Sequence, residues 1–203
     1  MTRAPMTRAH LRPAVFFDRD GVLNVDIGYL HRARDVRWID GAREAVAMVN
    51  AAGWFAFVVT NQAGVGRGYY READVHALHD WMAGDLAGAG ARIDAFEYCP
   101  HHPEAALGHY RRVCGCRKPA AGMIEALMAR FPVDRSRSFL VGDKDSDVAA
   151  AAAAGIAGHL FPGGNLKTFI EPLMRRTPCA SLVSSAGNGP AGNGEAAGRH
   201  GTS

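Results

Sequence analysis

Two acids flank an arginine at Asp18-Arg19-Asp20, directly after the apolar run Ala-Val-Phe-Phe and directly before Gly21. Carboxylates set together at the end of a buried strand repel one another unless a cation joins them, and the glycine lets the chain turn sharply. A hard, oxygen-seeking Mg²⁺ would neutralise both acids and a phosphate together, leaving one carboxylate to attack phosphorus and the other to handle a proton. The competing reading, that both acids cap a following helix, accounts for only one acid, and no strongly helical segment opens at Gly21. Asp143 supplies a third carboxylate, after Phe139-Leu140-Val141-Gly142 and before Lys144. Asp147 reads as the cap of an alanine-rich helix.

Thr60-Asn61-Gln62-Ala63-Gly64 follows a second apolar run, and its hydroxyl, amides and small residues can all donate to a phosphate held close to the backbone. Alone it is an ordinary polar turn; with the acids it reads as a phosphate cradle. Arg117 and Lys118 stand before Pro119, where a helix is expected to begin. Surface basic pairs are common, but here two cations would offset charge building on a transferring phosphoryl group.

A second constellation is Cys99-Pro100-His101-His102-Pro103 followed by Cys114-Gly115-Cys116. Cys99, Cys114, Cys116 and one imidazole, His101 in preference to His102, make a closed tetrahedral set for a structural Zn²⁺ that pins a loop. The plain alternative is free thiols beside a turn histidine. Cys179 stands apart and completes no pair of bridges.

These residues need elements to hold them. Apolar runs at 14–17, 54–59, 95–98 and 139–141 alternate with helical stretches at 41–52, 71–89, 120–131 and 147–154. Strands without polar alternation, separated by helices, predict an α/β fold: a doubly wound parallel sheet covered on both faces. Ligands of such sheets gather beyond the carboxyl ends of the strands, where Asp18, Thr60, Cys99 and Asp143 fall.

The chain has 203 residues, enough for one domain with tails. Residues 1–12 read as a disordered leader, 13–183 as the folded domain with the zinc loop at 99–116, and 184–203, rich in Gly, Ala, Ser and Asn, as a disordered tail. A net charge of +3 spread along the chain does not imply nucleic acid. No apolar run of membrane-spanning length and no signal segment is visible, so a cytoplasmic location, with thiols kept reduced for metal, is expected. No membrane partner is expected, and no apolar stripe demands a second subunit, so a monomer is expected.

Phe17-Asp18-Arg19-Asp20-Gly21, Thr60-Asn61-Gln62, Lys118-Pro119 and Gly142-Asp143-Lys144 resemble, in order, the four motifs of the haloacid dehalogenase superfamily of phosphatases over residues 14–160. With the Cys99/His101/Cys114/Cys116 loop, the chain is similar to the branch that holds heptose-bisphosphate and histidinol-phosphate phosphatases. The resemblance implies a Rossmann-like fold without a large cap domain. It implies attack by Asp18 on the C7 phosphate of a heptose 1,7-bisphosphate, proton transfer by Asp20, and phosphoryl oxygens held by Thr60 and Lys118. It further implies Mg²⁺ on Asp18, Asp143 and the backbone carbonyl of Asp20, and a phosphorylated sugar lined by Asp26, Ile27, Gly28, Tyr29, Asn61, Gln62, Ala63, Arg117 and Lys144. Residues 24–31 and 64–68 resemble the substrate loops of the heptose enzymes, whereas 161–176 do not match their ending.

Two other readings compete. A histidinol-phosphate phosphatase would share the chemistry but has no use for the 24–31 segment. A non-catalytic, zinc-stabilised binding module would explain the cysteines, yet three clustered carboxylates oppose polyanion binding, and no basic stripe interleaved with aromatics is present.

Overall fold

The computed structural model describes residues 11–176. Five parallel strands, β1 (Ala14–Phe17), β2 (Phe55–Asn61), β3 (Ala95–Cys99), β4 (Phe139–Gly142) and β5 (Ala157–Leu160), form one sheet in the order β3-β2-β1-β4-β5. The crossovers carry α1 (Ala42–Ala51), the single-turn α2 (Ala63–Gly66), α3 (Glu72–Gly88), α4 (Gly122–Arg130) and α5 (Asp145–Ala153), and α6 (Leu166–Arg176) follows β5. The strand order reverses at β1, so the acids after β1 sit at the switch point of a doubly wound sheet.

Both faces of each central strand are apolar because both are covered. Val15, Phe17, Ala56, Val58 and Val141 pack with Val46 and Val49 of α1, Leu78 and Met82 of α3, and Ile170 of α6. Ala14, Phe16, Phe57, Val59 and Leu140 point the other way, onto Met123, Ile124 and Leu127 of α4 and the alanines of α5. The period-two alternation is thus between two dry layers, which is why the runs read as continuous. No large cap domain interrupts the described residues, and among them no helix is long and apolar enough to cross a membrane.

Three expectations shift. β5, Ala-Gly-His-Leu, was not expected as a strand; it is a partly exposed edge poor in strand-forming residues. α4 starts at Gly122, not near Pro119, because Lys118–Ala121 form a turn first. The leader was expected to run through residue 12, but Arg12 is tied down: its N–H donates to the Pro132 carbonyl at 2.8 Å, and its guanidinium donates to the Gly53 carbonyl at 2.6 Å and lies over Phe55. Residues 1–10, the 184–203 tail and Cys179 lie outside the described residues.

Candidate active site

The carboxyl ends of β1, β2 and β4 bring the acids and the lysine together around a cavity of about 340 Å³, walled in part by Asp18, Asp20, Thr60, Gln62, Lys118 and Asp147. Asp18 extends the β1 ladder, its N–H donating to the Val141 carbonyl at 2.9 Å. Oxygen atoms of Asp18, Asp143 and Asp147 lie within 4.8 Å of one another. Two features of the backbone permit this crowding. Gly21 has a φ of +88°, and a Cβ there would stand 2.4 Å from the Asp143 carboxylate; a Cβ on Gly142 would stand 2.1 Å from Asp147.

Lys118 is the counter-charge. It is 4% exposed, and its Nζ lies 2.8 Å from Asp18 Oδ1 and 2.5 Å from Asp147 Oδ1 while donating to the Val59 carbonyl at 2.8 Å. Asn61 fixes its backbone from both sides, accepting from the Lys118 N–H at 3.0 Å and donating to the Lys118 carbonyl at 3.1 Å. Burial alone would lower the Lys118 pKa, but Asp18 and Asp147 carry it above the ordinary value, so the ammonium persists. Burial pushes Asp18 up to about 7 against the pull of Lys118, with Asp147 and Asp20 adding repulsion. One lysine therefore does not balance the acids. Asp143 Oδ1 is buried without a hydrogen-bond partner, and burial raises its pKa as well. An orphaned carboxylate oxygen facing two further acids is a donor set that fits a hard divalent cation.

Asp20 is turned out of this triad. Its carboxylate accepts from Arg19, from Asn24 Nδ2 at 2.9 Å and from Gln62 Nε2 at 3.2 Å. Gln62 also donates to Thr60 Oγ1 at 2.9 Å and accepts from the Tyr70 hydroxyl at 2.7 Å. Across the mouth, Lys144 Nζ reaches Asp26 Oδ2 at 3.2 Å and Asp143 Oδ2 at 3.6 Å, and Asp26 accepts from the Gly28 N–H at 2.9 Å. Tyr29 takes a φ of +56° beside Gly28 and meets Tyr69 edge-on at 4.7 Å.

Among the expected sugar-lining residues, Asp26, Gly28, Tyr29, Asn61, Gln62, Ala63 and Lys144 line the cavity. Two do not. Ile27, 49% exposed, is outside the wall. Arg117 donates to the His101 carbonyl at 3.3 Å and so belongs to the cysteine loop in this arrangement. Asp147 does cap α5, accepting from the Lys144 N–H at 3.1 Å, but the cap reading missed its second oxygen, which meets Lys118. The spacing Asp143-x-x-x-Asp147 was the available signal, since it lets the turn of α5 bring a second acid back to the strand end. Ser146, also in the wall, carried no signal in the sequence, and Tyr70 stands at the end of the 64–70 segment expected to screen the site.

The cysteine loop closes a separate cluster at the end of β3. Sγ of Cys99, Cys114 and Cys116 and Nδ1 of His101 lie within 4.8 Å of one another, and His102 is outside the set. Burial pushes the Cys99 thiol up, so its thiolate needs a cation nearby. Three sulfurs and one imidazole around one point fit a closed zinc site. Glu72 of α3 fastens the loop, accepting from the Tyr110 hydroxyl at 2.5 Å and from the Tyr98 hydroxyl.

A parallel sheet that collects an acid pair, a third acid and a buried lysine at its switch point defines a haloacid dehalogenase-like hydrolase, and residues 115–174 match the HAD-hydrolase-like family. A D-glycero-beta-D-manno-heptose-1,7-bisphosphate 7-phosphatase from Rhodopseudomonas palustris is 48% identical over 80% of this chain and 91% of its own length. The alpha-anomer enzyme from Burkholderia mallei is 47% identical over 73% of this chain and 78% of its own. The D,D-heptose 1,7-bisphosphate phosphatase of B. bronchiseptica, solved with magnesium and phosphate, superposes with a TM-score of 0.66 at 36% identity, covering 77% of this chain and 84% of that one. The chain belongs to the heptose-1,7-bisphosphate 7-phosphatase family of the haloacid dehalogenase-like phosphatases.

Proposed function

We propose that the protein removes the C7 phosphate of D-glycero-D-manno-heptose 1,7-bisphosphate through an aspartyl-phosphate. The carrying observation is Asp18 at the cavity floor, 2.8 Å from Lys118 and grouped with Asp143 and Asp147. An Asp18 oxygen attacks phosphorus as the bond from phosphorus to the sugar oxygen breaks, and Asp20 gives its proton to that oxygen. Asp20 then takes a proton from water, which attacks the same phosphorus and breaks its bond to Asp18, releasing inorganic phosphate. Thr60 and Lys118 hold the phosphoryl oxygens, Lys118 offsetting the charge that develops. Mg²⁺, held by Asp18, Asp143 and the Asp20 backbone carbonyl, would neutralise the acids and the phosphate together. Asp147 braces Lys118 from below.

The second phosphate and the sugar fall to the open side, where Asp26, Gly28, Tyr29 and Lys144 stand. Zn²⁺ on Cys99, His101, Cys114 and Cys116 would serve structure alone, pinning the loop that screens the cavity in place of a cap. The partner is a small phosphorylated sugar, and the protein acts as a monomer in the cytoplasm. Side-by-side turnover of both anomers of the bisphosphate and of histidinol phosphate tests the reading: kcat/KM for a bisphosphate anomer exceeding that for histidinol phosphate by at least about 100-fold supports it, since the histidinol ester leaves one phosphate subsite empty. Preference for histidinol phosphate overturns it.

A further inference from the structure

Arg19 is used by none of these steps, yet among the described residues it is the largest side chain with no exposure at all. A guanidinium is buried at heavy desolvation cost unless its donors are met. Here they go to three places. Nη2 donates to Asp20 Oδ2 at 2.8 Å and Oδ1 at 3.1 Å, with Nε on Oδ1 at 3.2 Å. The same Nη2 donates to the Leu30 carbonyl at 2.9 Å, at the end of the loop that carries Asp26 and Tyr29. Nη1 lies 3.4 Å from Nε2 of His79, on α3.

A guanidinium only donates, so Nε2 of His79 accepts and the ring is neutral. The surroundings agree: His79 is 5% exposed and stacked on Phe96 at 4.5 Å. Burial, and then the charge of Arg19, push its pKa down to about 3. His79 is therefore a fixed acceptor for Arg19, not a titrating group of the reaction.

We propose that Arg19 is a positioning residue that fixes the plane of the Asp20 carboxylate and, through the nitrogen shared with Leu30, ties it to the Asp26–Tyr29 loop, with neutral His79 locking the guanidinium from α3. The proposal rests on Asp20 as the proton-transferring group. A carboxylate free to rotate delivers its proton badly, and small misplacements of a catalytic group cost up to about 100-fold. Gln62 and Asn24 hold the same carboxylate from other sides, so removing Arg19 misorients Asp20 without freeing it entirely.

The test compares kcat/KM for the heptose bisphosphate, whose sugar oxygen needs a proton to leave, with that for p-nitrophenyl phosphate, whose phenolate leaves without one. Arg19→Lys keeps the charge and loses the fork; His79→Leu removes the acceptor, and His79→Gln restores one. Both Arg19→Lys and His79→Leu are expected to lower kcat/KM for the sugar ester by about 10- to 100-fold and for the aryl ester by less than about 3-fold, with His79→Gln close to wild type. Equal losses on both esters, or none, overturn the proposal, because a merely structural role does not distinguish leaving groups. Should Arg19→Lys fail to fold, the two His79 variants carry the decision. Asp20→Asn is measured beside them. If it discriminates between the esters and the His79 pair does not, the positioning role alone fails; if Asp20→Asn itself does not discriminate, the assignment of Asp20 fails and this proposal falls with it.

Discussion

At the residue scale the site is a problem of unbalanced charge. Asp18 and Asp147 share one buried lysine, Asp143 crowds them without touching it, and burial pushes Asp18 up to about 7. Replacing Lys118 by Met leaves Asp18 and Asp147 buried against each other, so turnover is expected to fall at least about 1,000-fold, as for loss of a transition-state donor, read by phosphate release at saturating magnesium. Gly21→Ala meets both a left-handed backbone and the Asp143 carboxylate 2.4 Å away, and is expected to cost about 2–4 kcal/mol in a denaturant titration; an unchanged midpoint would contradict the close approach. The gathering of Asp18, Asp143 and Lys118 at one site was legible in the sequence because each follows an apolar run or precedes a proline. Asp147 was only half legible: its capping role follows from local spacing, whereas its contact with Lys118 depends on how α5 packs against β4, which no local pattern encodes. Tyr70 reaches Gln62 only because Gly64 leaves room for its ring, another contact invisible to spacing.

At the scale of elements, the strand ends set the acids and the loops wall the rest of the cavity. The three central strands, β1, β2 and β4, announce themselves as apolar runs because helices cover both faces; of the two partly exposed edges, β3 still shows through Ala95, Phe96 and Tyr98, whereas β5, Ala-Gly-His-Leu, does not. The cysteine loop is held to α3 by Glu72, whose carboxylate is kept below its ordinary pKa first by the Tyr110 hydroxyl and then by Tyr98. Since the folded pKa is the lower one, this contribution is present above the ordinary value near 4.5 and is lost as pH falls through the depressed folded value. Glu72→Gln is therefore expected to lower stability by about 1 kcal/mol at pH 7, a loss that shrinks toward pH 3, read by denaturant unfolding at both pH values. A loss independent of pH would place the effect in packing instead of charge.

At the scale of the whole molecule, two clusters sit at separate strand ends: an oxygen-rich set of Asp18, Asp143 and Asp147 beyond β1 and β4, and a sulfur-rich set of Cys99, His101, Cys114 and Cys116 beyond β3. The division predicts separable metals. Cys114→Ser is expected to lose one zinc per chain by metal analysis and to lower the melting temperature by about 5 °C or more, while magnesium addition fails to restore it. Unchanged zinc content would remove the site.

The central claim is that Asp18 becomes phosphorylated, and it is most directly tested in the Asp20→Asn variant given p-nitrophenyl phosphate. That leaving group needs no acid, while the next step has lost its base, so the account predicts a burst of one nitrophenolate per enzyme and a phosphoryl adduct on the peptide that contains Asp18. Steady turnover with no burst and no adduct, or an adduct on another residue, would contradict it.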